Sequence, residues 1–298
     1  MYLPDFDYYC PDSVKEACEM LARFGPSAKV LAGGTDILSK MKQEMLAPRV
    51  LISLRNIERM DVIQYVPGRG VVIGARATHN DLVQSSILQK RYLSVCEAAH
   101  SLANNQVRNR GTIGGNLVNA VPSADLPPIL ISLKAAVTLV GRRSSRILVL
   151  DEFFSGPGQT AIGADEILTE ITIPDQATTG SSYCKFGLRH SGALAVVGVA
   201  AAVTMKDSFA ESVRITLGAV APTPLRSEAA EKMLTGKIVT EDLIEEAGQC
   251  AARECRPISD IRGSEEYRRE MVRVFTKRAL RSAIRRRQGE NENAGSDR

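Results

Sequence analysis

The sequence predicts an α+β protein of two domains, and three observations carry that prediction. Residues 1–57 alternate helix and strand signals. Two short runs, one inside that unit and one near residue 114, each stop at a pair of adjacent glycines. Beyond a small, polar stretch at residues 176–182, long β-rich runs give way to helices. A chain of 298 residues has room for two sizeable cores.

The elements follow in order. Ser13-Val14-Lys15-Glu16 has the form of a capping box. Val14, Ala17, Cys18 and Leu21 then recur at helical spacing until Gly25-Pro26 ends the helix. Val30, Leu31 and Ala32 form a strand that stops at Gly33 and Gly34, and a short helix runs on to Gln43. Residues 50–54 return as a strand, closing a small αβαβ unit over 1–57. In the unit 58–176, residues 70–74 are a strand, Thr78 and Asp81 cap a helix through Ser85, and residues 93–103 form a second helix. Strands at 136–140 and 147–149 flank a basic turn, read as solvated. Residues 153–158 are a loop, and 170–173 are a strand ended by Pro174. In the second domain, 177–288, the runs 195–206 and 212–220 form a hairpin around Asp207-Ser208. Thr240 starts a helix. A long helix over 267–287 sets Tyr267, Met271, Phe275 and Ala279 on one face and Arg268, Arg269, Arg273, Lys277 and Arg278 on a solvated one. Residues 289–298 read as a disordered tail.

Composition narrows the function. Hydrophobic residues make up 44% and charged residues 24%, as in ordinary soluble domains. The net charge of +4 is mild and much of it lies in the last helix, so nucleic acid is not an expected partner. Cys10, Cys18, Cys96, Cys184, Cys250 and Cys255 are scattered without a CxxC pair, so no metal or iron–sulfur site is expected in this chain. Cys250 and Cys255 read as packing residues. No secretory signal and no membrane-spanning run is seen, which predicts a cytoplasmic protein with no membrane partner. His79, His100 and His190 are far apart in sequence and read as structural; no Ser/His/Asp or Cys/His constellation stands out.

The two glycine pairs carry the chemistry. Gly33-Gly34 sits between a strand and a helix start, where free backbone N–H groups suit a phosphate. The alternative is an ordinary turn with Thr35 or Asp36 as helix cap. The second stretch, Gly111 to Asn116, reads GTIGGN and leads through Pro122-Ser123-Ala124 to Asp125. Two such nests can grip the two phosphates of a dinucleotide. Neither is the doubly wound dinucleotide fingerprint, and no GxxxxGK[ST] occurs.

Together the stretches AKVLAGGTDIL from Ala28 and QVRNRGTIGGNLVNAVPSADLPP from Gln106 resemble a known family. Supporting segments are DEILTEITIP from Asp165, the region 185–199 and LGAVAPTPLR from Leu217. The chain resembles the medium, flavin-binding subunit of the xanthine dehydrogenase and carbon monoxide dehydrogenase group of molybdenum hydroxylases. The resemblance implies an FAD-binding domain of two α/β subdomains, related to PCMH and vanillyl-alcohol-oxidase folds, over 1–176. A C-terminal domain with a small antiparallel sheet and helices would follow. It implies that Lys29, Val30, Leu31, Ala32, Gly33, Gly34, Thr35 and Asp36 wrap the pyrophosphate, with Ile37 adjoining. Thr112, Gly114, Gly115 and Asn116 would supply the second nest. Asp125, Leu168 and Lys185 match further flavin-contacting positions. Read alone, Leu168 is a plain strand residue and Lys185 a plain surface lysine.

By the same resemblance, electrons would arrive from [2Fe–2S] centres in a small partner subunit. The substrate would be oxidised at a molybdenum cofactor in a large one. Members of the carbon monoxide dehydrogenase type tend to place a Tyr against the flavin after a Gly-Asp pair. Here Ser191-Gly192-Ala193-Leu194 stands there, which leans toward a xanthine-dehydrogenase-like member with NAD as acceptor. Asp36 is the candidate catalytic residue near the nicotinamide. The alternatives are a subunit of an aldehyde, nicotinate or carbon monoxide dehydrogenase with another acceptor, and a non-catalytic nucleotide-binding module. An independent oxidase of the vanillyl-alcohol-oxidase type is a further alternative.

Overall fold

The computed structural model describes residues 3–189 and 191–287; His190 and the predicted tail lie outside them. The chain builds three main sheets. The first is small and parallel, with Val50–Ser53 between Asp7–Tyr9 and Ala28–Leu31. The helix Val14–Phe24 packs on it through Ala17, Cys18 and Leu21. Ser13 caps this helix by accepting from Glu16 N at 3.2 Å. The return arm of the predicted box is displaced by one residue, since Glu16 Oε2 accepts from Asp12 N at 3.0 Å.

The second sheet has five strands, antiparallel throughout, in the order Ile63–Val66, Gly70–Gly74, Ile167–Ile173, Ala136–Val140, Ser145–Val149. A set of short helices covers it. His79–Gln84 carries the full capping box, with Thr78 Oγ1 accepting from Asp81 N and Asp81 Oδ2 from Thr78 N. The predicted helix at 93–103 ends sooner, at His100, and a separate helix Ser86–Arg91 precedes it. Leu126–Ser132 is helical and buried at every position, between the helix Leu93–His100 and the strands of the third sheet. The basic turn is solvated at Arg142 and Arg143, whereas Arg146 forks onto Glu166.

The third sheet runs Gly180–Phe186, Val197–Lys206, Phe209–Gly218, Leu225–Arg226, with Lys237–Ile238 on the far end of Phe209–Gly218. Val197–Lys206 is buried on both faces. Val197, Val199, Ala201 and Val203 join the core under the C-terminal helices, while Ala200 and Ala202 join the core of the first domain. A two-faced strand reads as a continuous apolar run, which is why the sequence shows no alternation here. Glu228–Leu234, Glu241–Glu254 and Glu265–Arg287 pack on and beside this sheet.

One expectation fails in the last helix. Arg268 is not on a solvated face: it is 1% exposed. Its guanidinium donates to the carbonyls of Val196 and Ala219 and to Asp260 Oδ1. Three remote acceptors supply what water would otherwise give, so the charge can be buried.

Candidate functional site

The first glycine stretch connects the strand Ala28–Leu31 to the helix Ile37–Lys42. Its two glycines serve different ends. Gly34 takes φ +82°, which a side chain resists. Gly33 has an ordinary φ, but a Cβ there would lie 1.9 Å from the carbonyl oxygen of Arg110. The loop before the second glycine stretch thus backs directly onto the first. The N–H groups of Gly33, Gly34, Thr35 and Asp36 donate to no acceptor among the described residues. Neither alternative cap is formed: Asp36 makes no capping bond, and Thr35 Oγ1 lies 3.4 Å from Asp36 Oδ2. The loop is therefore a row of free donors next to a helix start. Lys29 and Asp36 are exposed, whereas Val30, Leu31, Ala32 and Ile37 are half-buried around the loop.

The second stretch differs from the predicted nest. Thr112 caps the helix Ile113–Asn119, and Gly114 and Gly115 lie in its first turn. Its donors are already engaged. Ile113 N donates to Ala77 O, Gly114 N to Ala75 O, Gly115 N to Thr112 Oγ1 and Asn116 N to Thr112 O, all between 2.9 and 3.0 Å. A side chain on Gly114 would strike Ala75, 2.7 Å away, while Gly115 meets only Thr112 Oγ1. What this stretch offers a ligand is the open face of Gly115 and the buried Oδ1 of Asn116, which has no hydrogen-bond partner. Leu168 is 4% exposed and part of the core. Its neighbour Thr169 accepts from Ala75 N, beside the Ala75–Gly114 contact.

Side chains tie the two stretches together. Asn119 Nδ2 donates to Asp36 Oδ1 at 2.8 Å, and Lys40 Nζ donates to Asn119 Oδ1 at 2.8 Å. Asn119 carries no local signal for this role. His79 lies beneath Gly111, 3% exposed, with Nδ1 unpartnered. Burial, aided by the Arg108 charge, lowers its pKa to about 4, so it is neutral.

At the other end of the segment 101–111, Lys185 is no surface lysine. Its Nζ donates to Asp125 Oδ2 at 2.9 Å and to Ser101 O at 3.0 Å, with 11% of the side chain exposed. Tyr183 donates to Asp125 Oδ1 at 2.8 Å. Burial raises the Asp125 carboxyl above its ordinary value, against the Lys185 ammonium and both hydrogen bonds. Beside Lys185, Gly192 N donates to Ala103 O at 3.0 Å. A pocket of about 290 Å³ opens there, lined by Leu188, Arg189, Gly192, Ala193, Leu194 and Arg262. Leu194 is 60% exposed, so this end presents an apolar face with two arginines near it. Among the described residues no His, Cys, Asp or Glu cluster is arranged for a metal, and no helix is long and apolar enough to cross a membrane.

Free donors beside a glycine turn fit the phosphate of a ligand, and the orphaned Asn116 Oδ1, an acceptor, fits an N–H or hydroxyl elsewhere on it. Comparison with known proteins says which one. Residues 4–176 match the FAD binding domain in molybdopterin dehydrogenase. Residues 182–283 match the CO dehydrogenase flavoprotein C-terminal domain. The carbon monoxide dehydrogenase medium chain of Hydrogenophaga pseudoflava is 38% identical over 95% of this chain and 98% of its own. The solved carbon monoxide dehydrogenase from that organism superposes with a TM-score of 0.92 over 96% of this chain and 99% of its own. The xanthine dehydrogenase FAD-binding subunit of Escherichia coli O157:H7 is 28% identical over 93% of this chain and 95% of its own. Sequence and fold agree, and the chain belongs to the family of FAD-binding medium subunits of the molybdenum hydroxylases.

Proposed function

We propose that this chain is the electron-transfer subunit of a three-component dehydrogenase. It would take electrons from [2Fe–2S] centres in a small partner chain, downstream of a molybdenum cofactor in a large one, and deliver them to NAD⁺. The observation that carries the cofactor site is the row of unpartnered N–H groups from Gly33 to Asp36, set against Arg110 and Gly111. Lys29, Val30, Leu31, Ala32 and Ile37 shape the walls of that loop. On the other side Thr112 and Gly114 fix the helix start, Gly115 leaves room for the approach, and Asn116 Oδ1 accepts. Leu168 backs this contact, and Asp125 and Lys185 hold a positive charge at the far end.

Bound FAD supplies two-electron chemistry on one side and one-electron exchange on the other. The protein's part is to bind, orient and exclude water. No side chain of this chain needs to act as nucleophile or general base. Asp36, held by Asn119, sits at the edge of the loop, where a carboxylate can bias the approach of a nicotinamide. The pocket beside Leu194 supports the NAD⁺ reading, because an aliphatic side chain leaves a flat ring accessible. The higher identity to a carbon monoxide dehydrogenase chain supports a second reading, in which the same scaffold serves another acceptor.

The test is the absorption spectrum of the purified chain before and after anaerobic NADH. A flavin spectrum that bleaches supports both FAD and NAD. A flavin spectrum indifferent to NADH keeps FAD and removes NAD. A colourless protein that takes up no FAD refutes the cofactor site.

A further inference from the structure

The strand Gly180–Phe186 turns alternate residues toward the second sheet's subdomain. Ser181 Oγ is 2.7 Å from Ser94 Oγ. Tyr183 and Lys185 converge on one carboxylate, Asp125, the hydroxyl on Oδ1 and the ammonium on Oδ2. Asp125 is 4% exposed and Tyr183 8%. An ammonium has three donors. Asp125 and Ser101 O take two of those on Lys185, and the third meets no acceptor among the described residues.

The hydroxyl has a space made for it. A Cβ on Gly198 would lie 2.7 Å from Tyr183 Oη. Gly198 pairs with Lys185 in the sheet register and does not have a positive φ. Its backbone therefore gives no reason for glycine, and the hydroxyl does.

We propose that Tyr183 is a positioning residue of the flavin site: its hydroxyl fixes the Asp125 carboxylate, the carboxylate fixes the Lys185 ammonium, and the third ammonium donor is thereby aimed at an acceptor on the cofactor. This rests on the FAD reading above. Removing the hydroxyl leaves a buried carboxylate with one partner fewer, so it takes up a proton more readily. Once protonated it no longer holds the ammonium as an ion pair. The defect therefore grows as pH falls. The other charged groups on the packed elements are Glu97, paired with Arg286, whose guanidinium also donates to Ser181 O; Arg278, over the Phe275 ring; and His100, exposed at the end of the helix before Ser101. Cys184, next in the strand, is pushed up by burial.

The experiment measures FAD dissociation from the full apo-chain by flavin fluorescence, from about pH 5 to about pH 9. The parent is compared with Tyr183→Phe, Gly198→Ala and Tyr183→Phe/Asp125→Asn. We expect near-constant affinity in the parent. Tyr183→Phe and Gly198→Ala should each weaken FAD by about tenfold at the acid end, through a one-proton transition absent from the parent. The double variant should be weak at every pH and show no transition. Single variants that match the parent, or weaken uniformly across pH, overturn the positioning role. A parent that takes up no FAD overturns the FAD reading itself. If Tyr183→Phe does not fold, Gly198→Ala decides, because it keeps the hydroxyl and displaces it.

Discussion

The two glycine pairs call for opposite outcomes from the same substitution, and Gly33→Ala is the sharper case. Its new methyl group would start 1.9 Å from Arg110 O, with Arg110 C at 2.8 Å and Gly111 Cα at 3.1 Å, against 3.4 Å for an ordinary contact. All three neighbours are backbone, so no side chain can swing away. Because Gly33 has no positive φ, the effect is steric alone. Overpacking of this kind costs about 1–3 kcal/mol. In a domain of this size that is a fall in Tm of about 3–10 °C. Gly115→Ala meets only Thr112 Oγ1 at 3.0 Å and adds a better helix former, so its Tm should stay within about 2 °C of the parent. Its methyl group should nevertheless stand in the path of the ligand and weaken FAD at least about tenfold. The assay is a thermal melt of each apo-chain together with flavin content after incubation with FAD. A Gly33→Ala chain that melts with the parent would refute the contact between the loops. A Gly115→Ala chain with a full flavin complement would remove the second stretch from the site.

Three further expectations follow from other parts of the fold. Asp36→Asn should keep its flavin and slow the reduction of that flavin by NADH; unchanged stopped-flow kinetics at full flavin content would exclude Asp36 from the nicotinamide site. Arg268→Met should destabilise the chain by about 2–4 kcal/mol in urea melts, because it leaves Asp260 and two carbonyls without their shared donor. His79 gives an acid-side signature. Its folded pKa is depressed from 6.5 to about 4, so the unfolded chain takes the proton first as pH falls. Its contribution is present in full above about pH 6.5, declines toward pH 4 and is level below, a loss of about 3 kcal/mol. His79→Gln should flatten that acid limb in denaturation followed against pH; an unchanged limb would show that His79 does not titrate in this way.

Local features were legible where the reason for them is local. The cap at Thr78, the turn at Asp207 and the stop at Gly33-Gly34 each follow from neighbouring residues, and the structure has them there. The helix Leu126–Ser132 gave no periodic signal, because a helix buried on every side has no polar face to reveal its period. The second glycine pair gives no helical signal, because glycine is a poor helix former. Thr112 and the carbonyls of Ala75 and Ala77 nevertheless hold it in the first turn. Lys185 and Arg268 look alike in sequence to any solvated cation. The burial of Lys185 depends on Asp125 and that of Arg268 on Val196 and Ala219, residues far along the chain, so a local window shows at most the Asp260 partner of Arg268.

The contact between Gly33 and Arg110 has a consequence for how the site is loaded. The carbonyl behind Gly33 belongs to the segment that leads into the helix Ile113–Asn119, so the free N–H groups of Gly33 to Asp36 are held in place before any ligand arrives. The cost of ordering that loop falls on folding and is absent from binding. Affinity for the cofactor is then coupled to the integrity of a surface the cofactor does not touch. Substitutions around Val107 to Gly111 that leave every proposed flavin contact intact should still shorten the residence time of the bound group.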